Sequence, residues 1–280
     1  MSLILALLAP MLAQVGPFVT PGAALPPVER RRPAVKVQAA PLQEPSRLQA
    51  CLEDAEASPS DAIEEAEAWL TTVKGTPQVE PNRCLGAAHS RRGEWGEAEA
   101  AFLAARDAAA ASDHALRAQL GGMAGNAALA GQTWDQALAA LDIAQADAQK
   151  AGDVRLSGEI AIDRARALVA LGRDAEAGKA LVEARTSAMN NPLAWLLSAT
   201  LSRRQGKLAE AQAQIATAAT LAPTDPEIGL EAGVIAVLSG RDEGARLSWQ
   251  SVIAAAPTSE AAATATTYLA QLGQPASKVP

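Results

Sequence analysis

The chain has 280 residues, of which 49% are hydrophobic and 20% charged, so it can build an ordered body and is not a disordered acidic protein. Its formal net charge of −7 argues against the basic surface that phosphate binding requires, and we expect no nucleic-acid partner. Aromatic residues make up only 3% of the chain, which favours thin layers of closely packed helices over one thick core.

The N-terminus carries an apolar run, Leu3–Leu12, interrupted only by Pro10. This run is too short to cross a bilayer, so we predict no transmembrane span, but it suits the hydrophobic region of a secretory signal peptide. We predict a signal peptide over residues 1–16, with cleavage after Ala13 or after Ala24, and a periplasmic or secreted protein. No Lys or Arg precedes the apolar run, and an irregular N-terminus that is not a signal is the alternative.

Proline dominates the next stretch, residues 17–45. Each proline lacks a backbone N–H and restricts the residue before it, so helices cannot form there. We predict a Pro-rich disordered linker over 17–45, a folded body over 46–272 and a flexible tail over 273–280.

Internal repeats determine the predicted architecture of the body. Glycines recur at intervals of 34 residues, at Gly172, Gly206 and Gly240, and prolines keep the same interval, at Pro223 and Pro257. Two further columns advance in step with them, namely Ala177, Ala211 and Ala245, and Leu181, Ile215 and Trp249. Glycine closes a helix through a left-handed turn and proline stops one, so each period predicts a pair of antiparallel helices.

The same pattern extends towards the N-terminus at longer intervals. One hairpin turn falls at Gly93 and Trp95, and the next falls at Gly131 and Trp134, with one extra residue in the turn. We expect longer second helices or longer exit loops around residues 108–113 and 149–153. The predicted hairpins are 77–112, 113–152, 153–190, 191–224 and 225–257, with a degenerate hairpin over 46–76 before them and a capping helix over 258–272 after them.

These columns resemble the tetratricopeptide repeat, a family in which small residues lie where two antiparallel helices touch. The family's small position on the first helix falls on Gly86, Ala124, Ala165, Ala199 and Gly233. The resemblance covers about residues 79–257 and is strongest over 190–257. It implies an all-α fold, a right-handed superhelical solenoid of about six antiparallel helix hairpins with a C-terminal capping helix.

The resemblance also implies a binding surface, because first helices in this family line a concave groove that commonly holds a segment of a partner. Transferred position by position, the partner-binding residues are Arg83, Ala87, Arg91, Gly121, Gly125, Arg166, Thr200, Arg203, Arg204, Leu230 and Val234. Its five arginines suit bidentate capture of carboxylates, so we hypothesise that the groove accepts an acidic or C-terminal peptide segment. The alternative is that these arginines are solvated charges that balance Glu159, Asp163 and Glu227.

Signatures of catalysis and of metal binding are missing from the sequence. His89 and His114, the two histidines, have no Cys or second His within helical reach, and neither a nucleophile elbow nor a phosphate loop is present. The glycines of Gly121–Gly125 fall inside a predicted first helix with no preceding strand, which argues against a dinucleotide site. We therefore predict no catalytic residue, no metal and no cofactor.

Cys51 and Cys84 fall on the first helices of consecutive hairpins, which lie side by side in this architecture. An exported protein meets oxidising conditions, so a disulfide between them is one expectation. Two buried free thiols are the other, since the distance between neighbouring helices makes the short Cα separation of a disulfide demanding.

The expected function is that of a non-catalytic scaffold or adaptor that binds a protein or peptide partner of unknown identity, in the cell envelope. The alternative is an accessory or substrate-handling subunit of a peptidoglycan-acting enzyme, with the catalytic module on another chain.

Overall fold

The computed structural model describes residues 45–272. Within this range the chain forms α-helices and one 3₁₀ turn, Thr76–Gln78, without a strand. The predicted signal peptide, the predicted linker except Pro45, and the predicted tail all lie outside the described residues. No helix in the described range is both long and apolar enough to cross a membrane.

Thirteen helices follow one another through the described residues. Their bounds are α1 Arg47–Ala57, α2 Pro59–Thr72, α3 Val79–Arg92, α4 Trp95–Ala108, α5 His114–Ala130, α6 Trp134–Ala151, α7 Val154–Ala170, α8 Asp174–Ser187, α9 Pro192–Arg204, α10 Leu208–Leu221, α11 Pro226–Leu238, α12 Asp242–Ala255 and α13 Glu260–Leu272. The helices α1 to α12 form six hairpins and α13 ends the array, so the predicted all-α repeat solenoid is confirmed.

Capping residues mark where the hairpins begin. Most first helices start after an Asp or Asn whose side chain accepts a hydrogen bond from a backbone N–H of the first turn, as at Asp113, Asp153, Asn191 and Asp225. The second helices α4, α6, α8, α10 and α12 lack such a bond, because a left-handed turn leads the chain directly into them.

Buried side chains form a row of small clusters along the solenoid instead of one central core. Each second helix from α2 onward packs against its own first helix and against the first helix of the next hairpin. Alanine fills the closest helix contacts, while Leu141, Leu181 and Ile215 are almost fully buried in the spaces between them. A chain with few aromatic residues can therefore still bury its apolar sides, because each layer is only two helices thick.

The turn between α5 and α6 departs from the prediction. Gln132, with φ of 58°, occupies the left-handed position that Gly93 and Gly172 occupy in the neighbouring hairpins, whereas Gly131 has φ of −77°. The assignment of Gly131 as the turn glycine, with an extra residue after it, is therefore wrong. The correct alignment moves the small position of α5 by one residue, from Ala124 to Gly125.

The two longer repeats gain their length in different ways. α4 ends at Ala108 and an irregular loop leads to Asp113, whereas α6 continues for 18 residues to Ala151. The first helices α5 and α7 are also long, at 17 residues each. The extra residues thus lengthen α5, α6 and α7, the helices in the middle of the solenoid.

A disulfide joins Cys51 of α1 to Cys84 of α3, with the two Cα atoms 6.0 Å apart. Both cysteines are buried in one cluster with Ala55 and Ala88. The bridge attaches the first hairpin, which lacks the turn glycine, to the regular repeats that follow it.

Candidate functional site

The candidate binding surface is the row of side chains that α3, α5, α7, α9 and α11 present away from their second helices. We call it the groove surface. On α3 it contains Arg83, Ala87 and Arg91, of which Ala87 is partly buried against the cluster around the disulfide.

On α5 the predicted residues Gly121 and Gly125 do not belong to the groove surface. Both are buried, with Gly121 against Ala144 and Gly125 against Leu141, so they face the second helix α6. The exposed residues of α5 that face α3 and α7 are instead Gln119, Met123 and Asn126. The one-residue error in the turn accounts for part of this correction: it moves the predicted positions from Gly121 and Gly125 to Gly122 and Asn126, since one residue turns a helix by about 100°.

The correct register of α5 could have been found from the spacing between the small residue of a first helix and the large residue of its second helix. Gly125 precedes Leu141 by the same number of residues as Gly86 precedes Phe102 and Gly233 precedes Trp249. This small-to-large spacing identifies Gly125 as the small position of α5 even though the turn carries Gln132 in place of glycine.

Four of the six predicted residues of α7, α9 and α11 line two further cavities. Arg166, Thr200 and Arg204 line one of about 180 Å³. Val234 lines another of about 300 Å³, beside Trp249 of α12 and Tyr268 of α13. Leu230 is only partly exposed, and its carbonyl accepts a hydrogen bond of 3.1 Å from Trp249 Nε1.

Four of the five predicted arginines already have carboxylate partners. Arg91 pairs with Glu56, Arg166 with Asp163 at 3.1 Å, Arg203 with Glu231 at 2.6 Å and Arg204 with Asp174 at 3.7 Å. Three of these partners come from a different helix hairpin, so the pairs connect neighbouring repeats. This arrangement favours charge balance over capture of a peptide carboxylate at these four positions.

Arg83 differs from the other four arginines. Its guanidinium has no ion pair or side-chain hydrogen bond with any residue between 45 and 272, and it lines two adjoining cavities. One cavity has a volume of about 620 Å³ and extends along Trp69, Pro77 and Val79. The other, of about 290 Å³, lies among α3, α5 and α7, and we call it the α3–α7 cavity.

The α3–α7 cavity combines apolar walls with separated charges. Its apolar walls include Leu116, Leu120 and Ile160, and Met123 projects into it with 41% of its surface exposed. Arg83 supplies positive charge from α3, and α7 supplies two carboxylates across the cavity.

The carboxylates of the α3–α7 cavity are Glu159 and Asp163. Burial raises the pKa of Asp163, and the charge of Glu159 acts in the same direction, while hydrogen bonds from Arg166 and Asn126 oppose both. A cationic group of a bound segment would therefore be favoured on this wall, because it would stabilise the buried charge of Asp163.

The described residues contain two histidines and several carboxylates that a metal ion could use as ligands. Over residues 45–272 no three His, Cys, Asp or Glu side chains are grouped so that they could hold a metal ion. His89 Nδ1 donates a hydrogen bond of 2.7 Å to the Glu94 carboxylate, and His114 Nδ1 lies 3.3 Å from the Asp147 carboxylate, so both histidines take part in structural contacts.

Comparison with known proteins identifies similar folds only. No protein-family model matches the chain, and no curated protein matches it. Among solved structures it is similar to PilF of Pseudomonas aeruginosa, with 13% identity, a TM-score of 0.62 and coverage of 80% of this chain and 95% of that chain. It is also similar to PilW, a widely conserved type IV pilus biogenesis factor, with 17% identity, a TM-score of 0.62 and coverage of 78% and 96%.

A third similar structure is the apo form of the quorum sensor NprR from B. thuringiensis, with 13% identity, a TM-score of 0.64 and coverage of 82% of this chain and 71% of that chain. At these identities the shared feature is the stack of helix hairpins.

Proposed function

We propose that this chain, whose fold is that of the tetratricopeptide-repeat proteins, is a non-catalytic scaffold that binds a segment of a partner protein on its groove surface. The α3–α7 cavity is the observation that carries the proposal. It places the Arg83 guanidinium, which has no ion pair among residues 45–272, an exposed Met123 side chain and apolar walls in one concave site. Sites of this kind bind by inserting an apolar side chain and pairing a nearby charge.

The charges of the cavity suggest which segment would fit. Arg83 suits an acidic group, whereas Glu159 and Asp163 across the cavity suit a basic one. The proposed segment therefore carries an apolar side chain between charges of opposite sign, in place of the acidic or C-terminal segment expected from the sequence.

A periplasmic or secreted location is part of the proposal. The disulfide between Cys51 and Cys84 supports it, because structural disulfides persist in oxidising compartments. The apolar run Leu3–Leu12 supports it as the hydrophobic region of a signal peptide.

Affinity capture from the cell envelope with three versions of the protein tests the proposal. We expect the wild type to recover a defined partner, and Arg83→Glu to recover roughly tenfold less, because it places a carboxylate where the partner's acidic group binds. Arg92→Glu is the matched control: it makes the same change in charge on the same helix, at a residue that already contacts Glu94 and Ser60. Equal recovery by wild type and Arg83→Glu would contradict the proposal.

The same experiment distinguishes the alternative function. Recovery of a wall hydrolase or of glycan fragments would identify the chain as an accessory subunit of a peptidoglycan-acting enzyme.

The double variant Arg203→Ala/Arg204→Ala should recover the partner as the wild type does, since Arg203 pairs with Glu231 and Arg204 with Asp174.

A further inference from the structure

A further cavity, with several polar side chains on its walls, lies on the other side of α9 from the groove surface. It has a volume of about 270 Å³ and is lined by residues of α8, α9 and α10, and we call it the α8–α10 cavity. α9 contributes Ser198 and Ser202 to it, whereas Thr200 and Arg204 of the same helix line a groove cavity. Leu181 and Leu201 line both cavities, but Thr200 and Arg204 do not line the α8–α10 cavity, so a ligand there would leave these two groove residues free.

Three cations line the α8–α10 cavity, namely Lys179 and Arg185 from α8 and Lys207 from the start of α10. None of them forms an ion pair with a carboxylate of the described chain, although Asp and Glu outnumber Lys and Arg by 31 to 24 in the sequence. Glu210 is the one carboxylate on the walls. In an acidic protein, this local excess of unpaired positive charge favours an anionic ligand.

Arg185 is held in place on the wall of this cavity. Its guanidinium carbon lies 5.5 Å from the centre of the Trp195 ring. Burial lowers the pKa of Arg185, and the charge of Glu210 acts against that change. Burial removes water that would stabilise the charge of Arg185. An anion placed beside Arg185 would stabilise that charge in place of the water.

Gln214 provides an independent indication of a ligand. The residue is only 5% exposed, and its Nε2 donates a hydrogen bond of 3.0 Å to Glu210. Its Oε1 is buried and has no hydrogen-bond partner among the residues that the structure describes. Buried amide oxygens normally accept a hydrogen bond, so a donor on a bound ligand would satisfy Gln214 Oε1.

We propose that the α8–α10 cavity binds an acidic segment of a partner protein. A Glu or Asp carboxylate of the segment meets Lys179, Arg185 and Lys207, and a backbone N–H of the same segment donates to Gln214 Oε1. A peptide carries both groups within one residue. The cavity is slightly smaller than the roughly 300 Å³ at which small-molecule pockets usually begin, which suits one inserted side chain. This site is separate from the groove and makes the protein a two-sided scaffold.

Isothermal titration of the full chain with an acetylated and amidated glutamate hexapeptide tests the inference. We expect the double variant Lys179→Gln/Lys207→Gln to bind at least about tenfold more weakly than the wild type, because two charge-assisted contacts are lost. Both lysines are exposed, so the variant should fold. The matched control Lys74→Gln/Lys150→Gln removes two exposed lysines elsewhere and should bind as the wild type does.

A second variant separates direct contact from general attraction. Gln214→Met keeps the side-chain size but removes the amide oxygen, and we expect the affinity for the hexapeptide to fall by roughly three- to tenfold at unchanged helicity. Arg83→Glu should leave this affinity unchanged, which makes failure here distinguishable from failure of the groove proposal. Absence of hexapeptide binding, or an equal loss in the lysine control, would overturn the inference. Inorganic phosphate that competes with equal affinity would also overturn it, by assigning the cavity to small anions.

Discussion

Gly125 of α5 lies so close to Leu141 of α6 that a β carbon on Gly125 would overlap the leucine side chain. Gly86 has the same relationship to Phe102, where the added carbon would lie 2.5 Å from Cε1, and Gly233 has it to Trp249. Three hairpins therefore pair a glycine with a large side chain at one equivalent position. This contact sets the distance between the two helices, because a larger residue would force them apart.

Gly125→Ala should lower the free energy of unfolding by about 1 to 3 kcal/mol, because the overpacked contact with Leu141 must relax. Gly233→Ala should behave similarly through Trp249. Gly96→Ala is the matched control, since a β carbon there meets nothing within 4 Å. Urea unfolding monitored by circular dichroism measures the difference, and equal stability of Gly125→Ala and Gly96→Ala would contradict this assignment of the small position.

Gln132→Gly should raise the free energy of unfolding by about 0.5 to 1 kcal/mol. Gln132 pays the steric penalty of a left-handed backbone for a residue with a β carbon, and glycine removes that penalty at the cost of a more flexible unfolded chain. Gly172→Ala, the converse change at the equivalent turn, should lower stability by about 1 kcal/mol. A stabilising effect of Gly172→Ala would show that these turns do not need a left-handed residue.

The fold was predictable because the turn glycines recur with the repeat. A left-handed turn after each first helix is a local requirement, and Gly172, Gly206 and Gly240 report it directly in the sequence. The surface of α5 was not predictable in this way, because Gln132 meets the same requirement without being glycine. The ion pairs of the groove arginines were not predictable for a different reason. Arg204 pairs with Asp174 and Arg203 with Glu231, and both pairs join neighbouring hairpins. Such contacts depend on how the hairpins pack, which a single sequence does not reveal.

Loss of the disulfide should lower the stability of the protein by about 3 kcal/mol, because it releases a loop closed over a sequence separation of 33 residues. The double variant Cys51→Ala/Cys84→Ala, compared with the oxidised wild type in urea, measures this difference. Adding a reductant should bring the wild type close to the variant and leave the variant unchanged. Equal stability of the oxidised wild type and the double variant would contradict a structural role for the bridge.

Asp163→Asn should alter how stability depends on pH. Burial raises the pKa of Asp163 above its unfolded value, so the protonated carboxyl is favoured in the folded state. The stability that the protonated Asp163 carboxyl contributes is fully present below the unfolded pKa. It is lost as the pH rises through the folded pKa. Over the pH range that begins near 4, about the unfolded pKa of an aspartate, and extends upward through the folded pKa, the wild type should therefore lose stability relative to Asp163→Asn. Thermal unfolding across this range tests the sign, and parallel curves would contradict it.

The most direct test of the account is site-specific photo-crosslinking from two exposed apolar positions. A photoreactive amino acid replaces Met123, which is 41% exposed in the α3–α7 cavity, or Ile143, which is 48% exposed on the second helix α6. Binding on the groove surface predicts that one partner segment is crosslinked from position 123 and not from position 143, and that Arg83→Glu lowers the crosslink yield roughly tenfold. Equal crosslinking from both positions, or an undiminished crosslink at 123 in Arg83→Glu, would contradict it.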